Sequence, residues 1–511
     1  MVKQSRTRLA FTNAFVTGTV LILYFPIQFI NRFFMIKYLG VHYLGITSLY
    51  TNILSVLSLA DLGIGTAIVF LLYEPLASHD IRKVALLMRY YRNIYCSIAG
   101  IIFLLGLLIM PFLPHLMKGT GHYPYVYQVF IIYLLGSASS YLFSYNQSLL
   151  FADQKNHIIS IINLIVSYVM LSVQIFTVII LRNPLLYAAL FVFTNFVTNL
   201  FVSIYVKKNY PFKKSKEKLS KEEKDLLIQN VIGNMFLRIS GVVVTGTDNI
   251  FLSAFTGVVI VGYYANYVTV TNFIQRFMTQ VIGAISGSIG NFAVGKNKNE
   301  GEILFHNLQF INFMLLNLAC LGIMFLSKDV ITLWLGEKFV FDNLTTLLIT
   351  LSFFFMNYRI LGWNFTAVYG LARFMKLFSI NEMTVNILCT LLFILVFKMG
   401  LNGVLLGTIC STLLTVTWQD PYVIFKHGFN SSPLKYFKRY ILNFTIFLLE
   451  CVLIFEIERH LRIVNQYGLI HFCFYLPIVV LIGIVIPNIF YFSTEELKYL
   501  KNLIKQIVYR R

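Results

Sequence analysis

Apolar runs of a length that crosses a bilayer recur along the whole chain, each closed by a short polar cluster. A helix rises ~1.5 Å per residue, so ~20 apolar residues span the ~30 Å hydrocarbon layer. On that template the pattern predicts fourteen helical spans, at 11–36, 45–72, 94–117, 126–151, 158–181, 185–206, 227–255, 259–291, 305–326, 343–369, 377–397, 401–418, 440–457 and 469–491. Composition agrees: 58% of the 511 residues are apolar, 12% are charged, and mean hydropathy is +0.75. Soluble domains carry about 25% charge. An all-α polytopic membrane protein is expected, and soluble, fibrous and disordered classes are excluded.

Charge sets the orientation. The formal net charge of +20 would suggest nucleic acid in a soluble protein, but its placement explains it otherwise. With the N-terminus inside, the inner segments hold 29 of the 41 Lys and Arg and the outer loops hold 8. That bias over short loops predicts cytoplasmic N- and C-termini. The basic stretch Lys3, Arg6, Arg8 precedes a long apolar run without a small-residue cleavage site, so it reads as a retained first span. The most charged inner loop, Lys207 to Lys224, separates six spans from eight; it is a topological determinant and linker, with anionic lipid headgroups as a further partner.

The two parts share a motif. Gly40-Val41, Leu44-Gly45 and Tyr50 recur as Gly257-Val258, Val261-Gly262 and Tyr267, a constant shift of 217. Both copies fall at the turn between the first and second span of their part. An even number of spans lies between them, so the repeat is parallel, with its axis along the membrane normal. Such repeats build transporters whose site lies between the halves.

No GxxxxGK[ST] loop, HExxH or Cys/His cluster is present, the six cysteines fall in apolar stretches, and the nine histidines are scattered. Neither catalytic residues, metal ligands nor a cofactor are expected, and the longest outer stretch, Ser327 to Asp342, is too short for a catalytic domain. The informative residues are four arginines inside spans: Arg32, Arg238, Arg276 and Arg359. A charge at mid-bilayer costs at least ~2.5–3.5 kcal/mol, so these groups should face a wet cavity or a partner. A cavity with guanidinium groups at several depths suits an anionic headgroup, above all a phosphate; the alternative is that some snorkel or brace helices. The intramembrane acids are Asp61, Asp248, Glu382 and Glu450. Asp61, Asp248 and Glu382 are candidates for gating or ion coupling. The 217 shift aligns Asn31 with Asp248 and Arg32 with Asn249, which suggests an outer gate between Arg32 and Asp248. The tail from Ser493 opens with a capping-box pattern and places Leu497, Leu500, Ile504 and Ile507 at helical spacing among basic residues. It reads as an amphipathic cytoplasmic helix on the membrane surface.

Tyr38-Leu39-Gly40-Val41 with Leu44-Gly45, Leu59-Ala60-Asp61-Leu62-Gly63-Ile64-Gly65 in the second span, and Leu333-Trp334-Leu335-Gly336 before the tenth resemble the polysaccharide repeat-unit flippases of the multidrug/oligosaccharidyl-lipid/polysaccharide exporter superfamily. The resemblance implies a V-shaped fold of two pseudo-symmetric six-helix lobes, 1–206 and 227–418, joined by a linker at 207–226. Two more spans at 419–491 and the tail at 492–511 follow. It also implies translocation of undecaprenyl-diphosphate-linked oligosaccharide from the cytoplasmic to the outer leaflet of a bacterial cell membrane by alternating access, without enzymatic chemistry. Arg238, Arg276 and Arg359 are then the headgroup contacts, with Arg32 at the outer mouth. Polysaccharide polymerase and chain-length machinery become possible partners. Lipid II flippases of the same superfamily and multidrug/cation antiporters are the rival readings.

Overall fold

The computed structural model describes residues 6–58, 64–78, 80–117, 125–210, 241–294 except 243 and 245, 298–461 and 467–509. Arg238, Asp61 and most of the 207–226 linker lie outside them. The described residues form helices throughout, eleven of them long and apolar enough to cross a membrane. Two compact units divide the chain at Ala265 and Asn266.

The first unit opens with α1 (Arg6–Leu57), which combines the first span and part of the second across a break at Gly40 (φ 84°). It continues with α2 (Ile64–Ala77), α3 (Ile81–Ile109), α4 (Val126–Ala152), α5 (Asn156–Ile180) and α6 (Pro184–Asn209). After the undescribed stretch come α7 (246–256) and the first turns of α8 (Val258–Val294). Local chemistry sets the helix starts. Asp80 caps α3 by accepting from the Lys83 N–H, and Asn183 caps α6 by accepting from the N–H groups of Leu185 and Leu186, with Pro184 at the first helical position. These caps satisfy donors that a helix start leaves free.

The 217-residue repeat is real in three dimensions. Gly257 breaks the chain with φ 105°, as Gly40 does with φ 84°. The second glycines of the motifs pack reciprocally: a Cβ on Gly45 would lie 2.0 Å from the carbonyl oxygen of Val258, and one on Gly262 would lie 2.7 Å from that of Val41. Position 45 maps onto 262, and 258 onto 41, so the two contacts are one contact seen twice about a local twofold. The tyrosines match as well. Tyr50 donates to the carbonyl of Val126 at 2.8 Å, where α4 starts. Tyr267 of the second unit accepts from the N–H of Phe341 at 3.0 Å, two residues before α10 begins at Asn343. The starts of α4 and α10 are themselves 217 residues apart.

The second unit contains the rest of α8, then α9 (Lys298–Leu335), α10 (Asn343–Tyr358), α11 (Ile360–Val368), α12 (Lys376–Leu391), α13 (Gly400–Leu414), α14 (Val416–Val423), α15 (Leu434–Leu461), α16 (Leu469–Phe490) and α17 (Glu495–Tyr509). Two spans are interrupted. Arg359 breaks the tenth between α10 and α11, and Thr415, at φ −122° and ψ −90°, breaks the twelfth between α13 and α14. The first break frees the Tyr358 carbonyl, which accepts from Asn312 Nδ2 (3.1 Å) and Gln309 Nε2 (3.2 Å) of α9. An unsatisfied carbonyl at membrane depth would be costly, and buried carboxamides on a neighbouring helix remove that cost.

Several expected boundaries move. The ninth span runs to Leu335, which places Ser327, Lys328 and Asp329 in buried helix and shortens the expected outer stretch to 336–342. The twelfth extends past 418 through a wide turn to Phe429. At the tail, the Thr494 hydroxyl accepts from the Leu497 N–H in the first turn of α17 (3.5 Å), while Glu496 binds Arg439 of α15 (Nη2 to Oε1, 3.1 Å). Both shifted spans end late because polar residues that read as loop are satisfied inside the bundle. Asp329, for example, accepts from the Gly468 N–H and pairs with His471 Nδ1, each at 2.8 Å.

Candidate functional site

Helices α1, α4, α5 and α6 of the first unit enclose two adjoining cavities. The larger, about 390 Å³, is lined by Tyr24, Gln28, Thr51, Ser55, Ser58, Ser137, Ser140, Tyr141, Thr194 and Asn195 among others. The smaller, about 130 Å³, shares Gln28, Thr51, Tyr133, Leu171 and Phe191 with it and adds Asn31 and Arg32. Hydroxyls, carboxamides and aromatic rings thus line a continuous polar wall in which Arg32 is the charged side chain. The residue types explain why it persists: Ser and Thr of a span return their hydroxyls to carbonyls of their own turn, as Thr51 does to Thr47 (2.9 Å) and Ser140 to Ser137 (2.7 Å). They cost little to fold yet keep acceptor lone pairs for a ligand.

Arg32 lies eight residues before the Gly40 break, ~12 Å along the helix. Its Nη1 donates to the carbonyl of Ala265 in α8 at 2.8 Å. Beside it, buried Asn31 donates to Gln174 Oε1 (3.0 Å) and to the Tyr187 hydroxyl (2.9 Å). These bonds fix the α1 face that carries Arg32. Asp248 is half-buried in α7 of the same unit.

Arg276 is exposed on α8, within a polar run of Thr269, Thr271, Asn272, Gln275, Thr279 and Gln280. Arg359 has a different environment from the open cavity expected of it. Its Nη1 lies 2.6 Å from Glu382 Oε1, its Nε and Nη2 both lie 2.8 Å from Asp420 Oδ2, and its guanidinium packs 5.0 Å from the Trp363 ring centre. All three charged side chains are at most 14% exposed. The adjoining void is only about 20 Å³ and is lined by Gln309, Tyr358, Thr417, Tyr436 and Tyr440 among others. Asp420 was missed from sequence because Thr417-Trp418-Gln419-Asp420 reads as the polar end of a span. The available signal was Pro421 followed by a further apolar turn. Glu450, the remaining acid, is fully buried and accepts from Asn317 Nδ2 at 2.7 Å.

Repeated helical halves, a polar cavity within the bundle and broken spans with buried charges define a multi-pass membrane transporter. The solved structures that resemble the chain share this fold. A lipid II flippase, MurJ, in an inward closed conformation aligns with a TM-score of 0.64 at 16% identity over 96% of this chain and 99% of its own. An inward-facing multidrug resistance transporter of the MATE family and MOP superfamily aligns at 0.59 and 13% identity, over 81% and 98%. A MOP superfamily transporter from Pyrococcus furiosus, described as having a binding pocket of reverse polarity, aligns at 0.52 and 14% identity, over 81% and 96%. No curated protein matches the sequence. The polysaccharide biosynthesis protein family model matches residues 10–286, and the chain belongs to that family.

Proposed function

We propose that this protein carries undecaprenyl-diphosphate-linked oligosaccharide from the cytoplasmic to the outer leaflet of the bacterial cell membrane, for surface polysaccharide synthesis, by alternating access. The observation that carries the reading is the first unit's cavity: neutral hydroxyl and carboxamide groups with aromatic faces along its length, and one guanidinium at its narrow end. Sugars bind through such hydrogen-bonding walls and ring faces, and a diphosphate binds a guanidinium fork. A polar passage removes the cost of taking a hydrated headgroup through hydrocarbon, while the polyprenyl tail stays in lipid.

In this reading Arg32 meets the diphosphate, and Arg238 and the exposed Arg276 supply further contacts. Arg359 acts through its carboxylates, and Asp248 closes on Arg32 at the outer mouth. Asp61 belongs to the same gate or to ion coupling. The positive-inside bias sets both termini in the cytoplasm, and polymerase and chain-length proteins would receive the product. The test is flipping in liposomes containing purified protein, with a defined lipid-linked oligosaccharide in one arm, lipid II in a second and a cationic drug in a third. Transport in the first arm that falls on Arg32→Ala supports the proposal; transport of lipid II or the drug alone replaces it with the corresponding rival.

A further inference from the structure

We propose that Glu450 binds a proton at Oε1 and, as a neutral acid, pairs with the carboxamide of Asn317 on the neighbouring helix. The argument begins with depth. In α15 (Leu434–Leu461) Glu450 stands sixteen residues after the start and eleven before the end, and none of its surface is exposed. Packing beside it is tight and apolar: a Cβ on Gly483 of α16 would lie 2.8 Å from Leu318 Cδ2 and 3.0 Å from Leu321 Cδ1 of α9. Among the described residues no charged side chain acts on Glu450; burial and the Asn317 bond make up its surroundings. The titratable groups nearby are thiols, Cys451 on its own helix and, beyond it, Cys320 on α9. A carboxylate held there without a countercharge is strongly disfavoured.

The hydrogen bonds say where the proton goes. Pro487 has no N–H, so the Gly483 carbonyl lacks its helical donor. Asn317 Nδ2 donates to that carbonyl at 3.5 Å and to Glu450 Oε2 at 2.7 Å. Both hydrogens of the amide nitrogen are thereby committed. Two buried oxygens of the pair remain without a partner among the described residues, Oδ1 of Asn317 and Oε1 of Glu450. While Glu450 is ionised each is an acceptor, so neither can serve the other. A proton taken from water forms one O–H bond at Oε1, removes the negative charge and gives Asn317 Oδ1 the donor it lacks. The pair then joins α15 to α9 by a hydrogen bond in each direction. A metal ion fits poorly. No group of three or more His, Cys, Asp or Glu able to hold one occurs among the described residues, and the Asn317 N–H aimed at the carboxyl repels a cation.

Proton binding here does not rest on the proposed function. Infrared spectra of the full chain in nanodiscs without substrate, wild type minus Glu450→Gln at neutral pH, should show one protonated carboxyl band and no carboxylate stretches. In Asn317→Leu that band should move to higher wavenumber, because a carboxyl group relieved of hydrogen bonds has a stiffer C=O bond. Asp420→Asn, a change at another buried acid, should leave it in place. If Glu450→Gln does not fold, the Asn317→Leu minus wild-type spectrum decides, as a loss at the lower wavenumber matched by a gain at the higher. Carboxylate stretches in place of the protonated band, a band unmoved in Asn317→Leu, a band lost in Asp420→Asn, or its replacement by carboxylate when sodium is added at fixed pH overturns the proposal. Failure to move lipid-linked oligosaccharide with the band intact refutes the substrate reading alone.

Discussion

Gly45→Ala gives the sharpest test of the reciprocal repeat contact. The new methyl would stand 2.0 Å from the Val258 carbonyl oxygen, and its other near neighbours are Val258 C and Cγ1 at 2.8 Å. An unstrained contact needs ~3.5 Å, so the helices must part by ~1.5 Å. The obstructing atom is backbone and cannot rotate away. Overpacking costs ~1–3 kcal/mol, against a gain of ~0.5–1 kcal/mol for replacing helical glycine, so the variant should lose ~1–2 kcal/mol or more. Gly262→Ala, 2.7 Å from Val41 O, needs about half that displacement and should lose less. One parting of the helices relieves both clashes, so the double variant should cost less than the two singles together. Gly18→Ala is the control, since nothing lies within 4 Å of its added Cβ, and it should match or exceed wild type. Thermal unfolding of detergent-purified protein, followed by the fraction that remains monodisperse on size exclusion, reads all four. A Gly45→Ala protein as stable as Gly18→Ala would refute the close approach, and strict additivity in the double variant would refute its reciprocity.

Further expectations follow from the charged groups. Arg32→Ala should lower export of surface polysaccharide ~10–100-fold, the worth of one hydrogen bond to a charged group, while Arg32→Lys retains part of it; complementation of an export-deficient strain measures both, and unchanged export in Arg32→Ala counts against the cavity. Arg359→Ala should destabilise the protein by ~3–5 kcal/mol by removing the guanidinium that Asp420 and Glu382 share, whereas Arg359→Met with Glu382→Gln and Asp420→Asn should recover most of that; equal melting of the two would remove the ion-pair account. Outside the spans, burial works to raise the Glu496 carboxyl, but its own backbone N–H, Arg439 and the Thr494 hydroxyl outweigh it and hold it below the usual glutamate range. A depressed folded-state value adds stability above the ordinary carboxylate range that is lost as pH falls through it. Hydrogen exchange across 495–505 should therefore quicken at acid pH in wild type and be quick at neutral pH in Glu496→Gln; equal protection in both would disconnect the tail from Arg439.

The sequence by itself determined the class, the least length of a span and the repeat. Bilayer thickness fixes how long an apolar run must be, and each run carries that information locally. The 217-residue shift, seen in five residues, appears again in paired glycine breaks, paired close approaches and paired tyrosine anchors, because a turn that requires positive φ or no Cβ has to write that need into its own residue. Partnership was left to the tertiary structure. Arg359 reads the same in sequence whether it faces a phosphate or two carboxylates, and its partners lie 23 and 61 residues away on other helices. Asp420 and Asp329 look like loop residues because hydropathy counts their charge at full cost, and only a neighbouring helix supplying a guanidinium, an imidazole or a backbone N–H cancels it. The energy of a buried charge depends on what surrounds it in space, and that is decided when the helices pack.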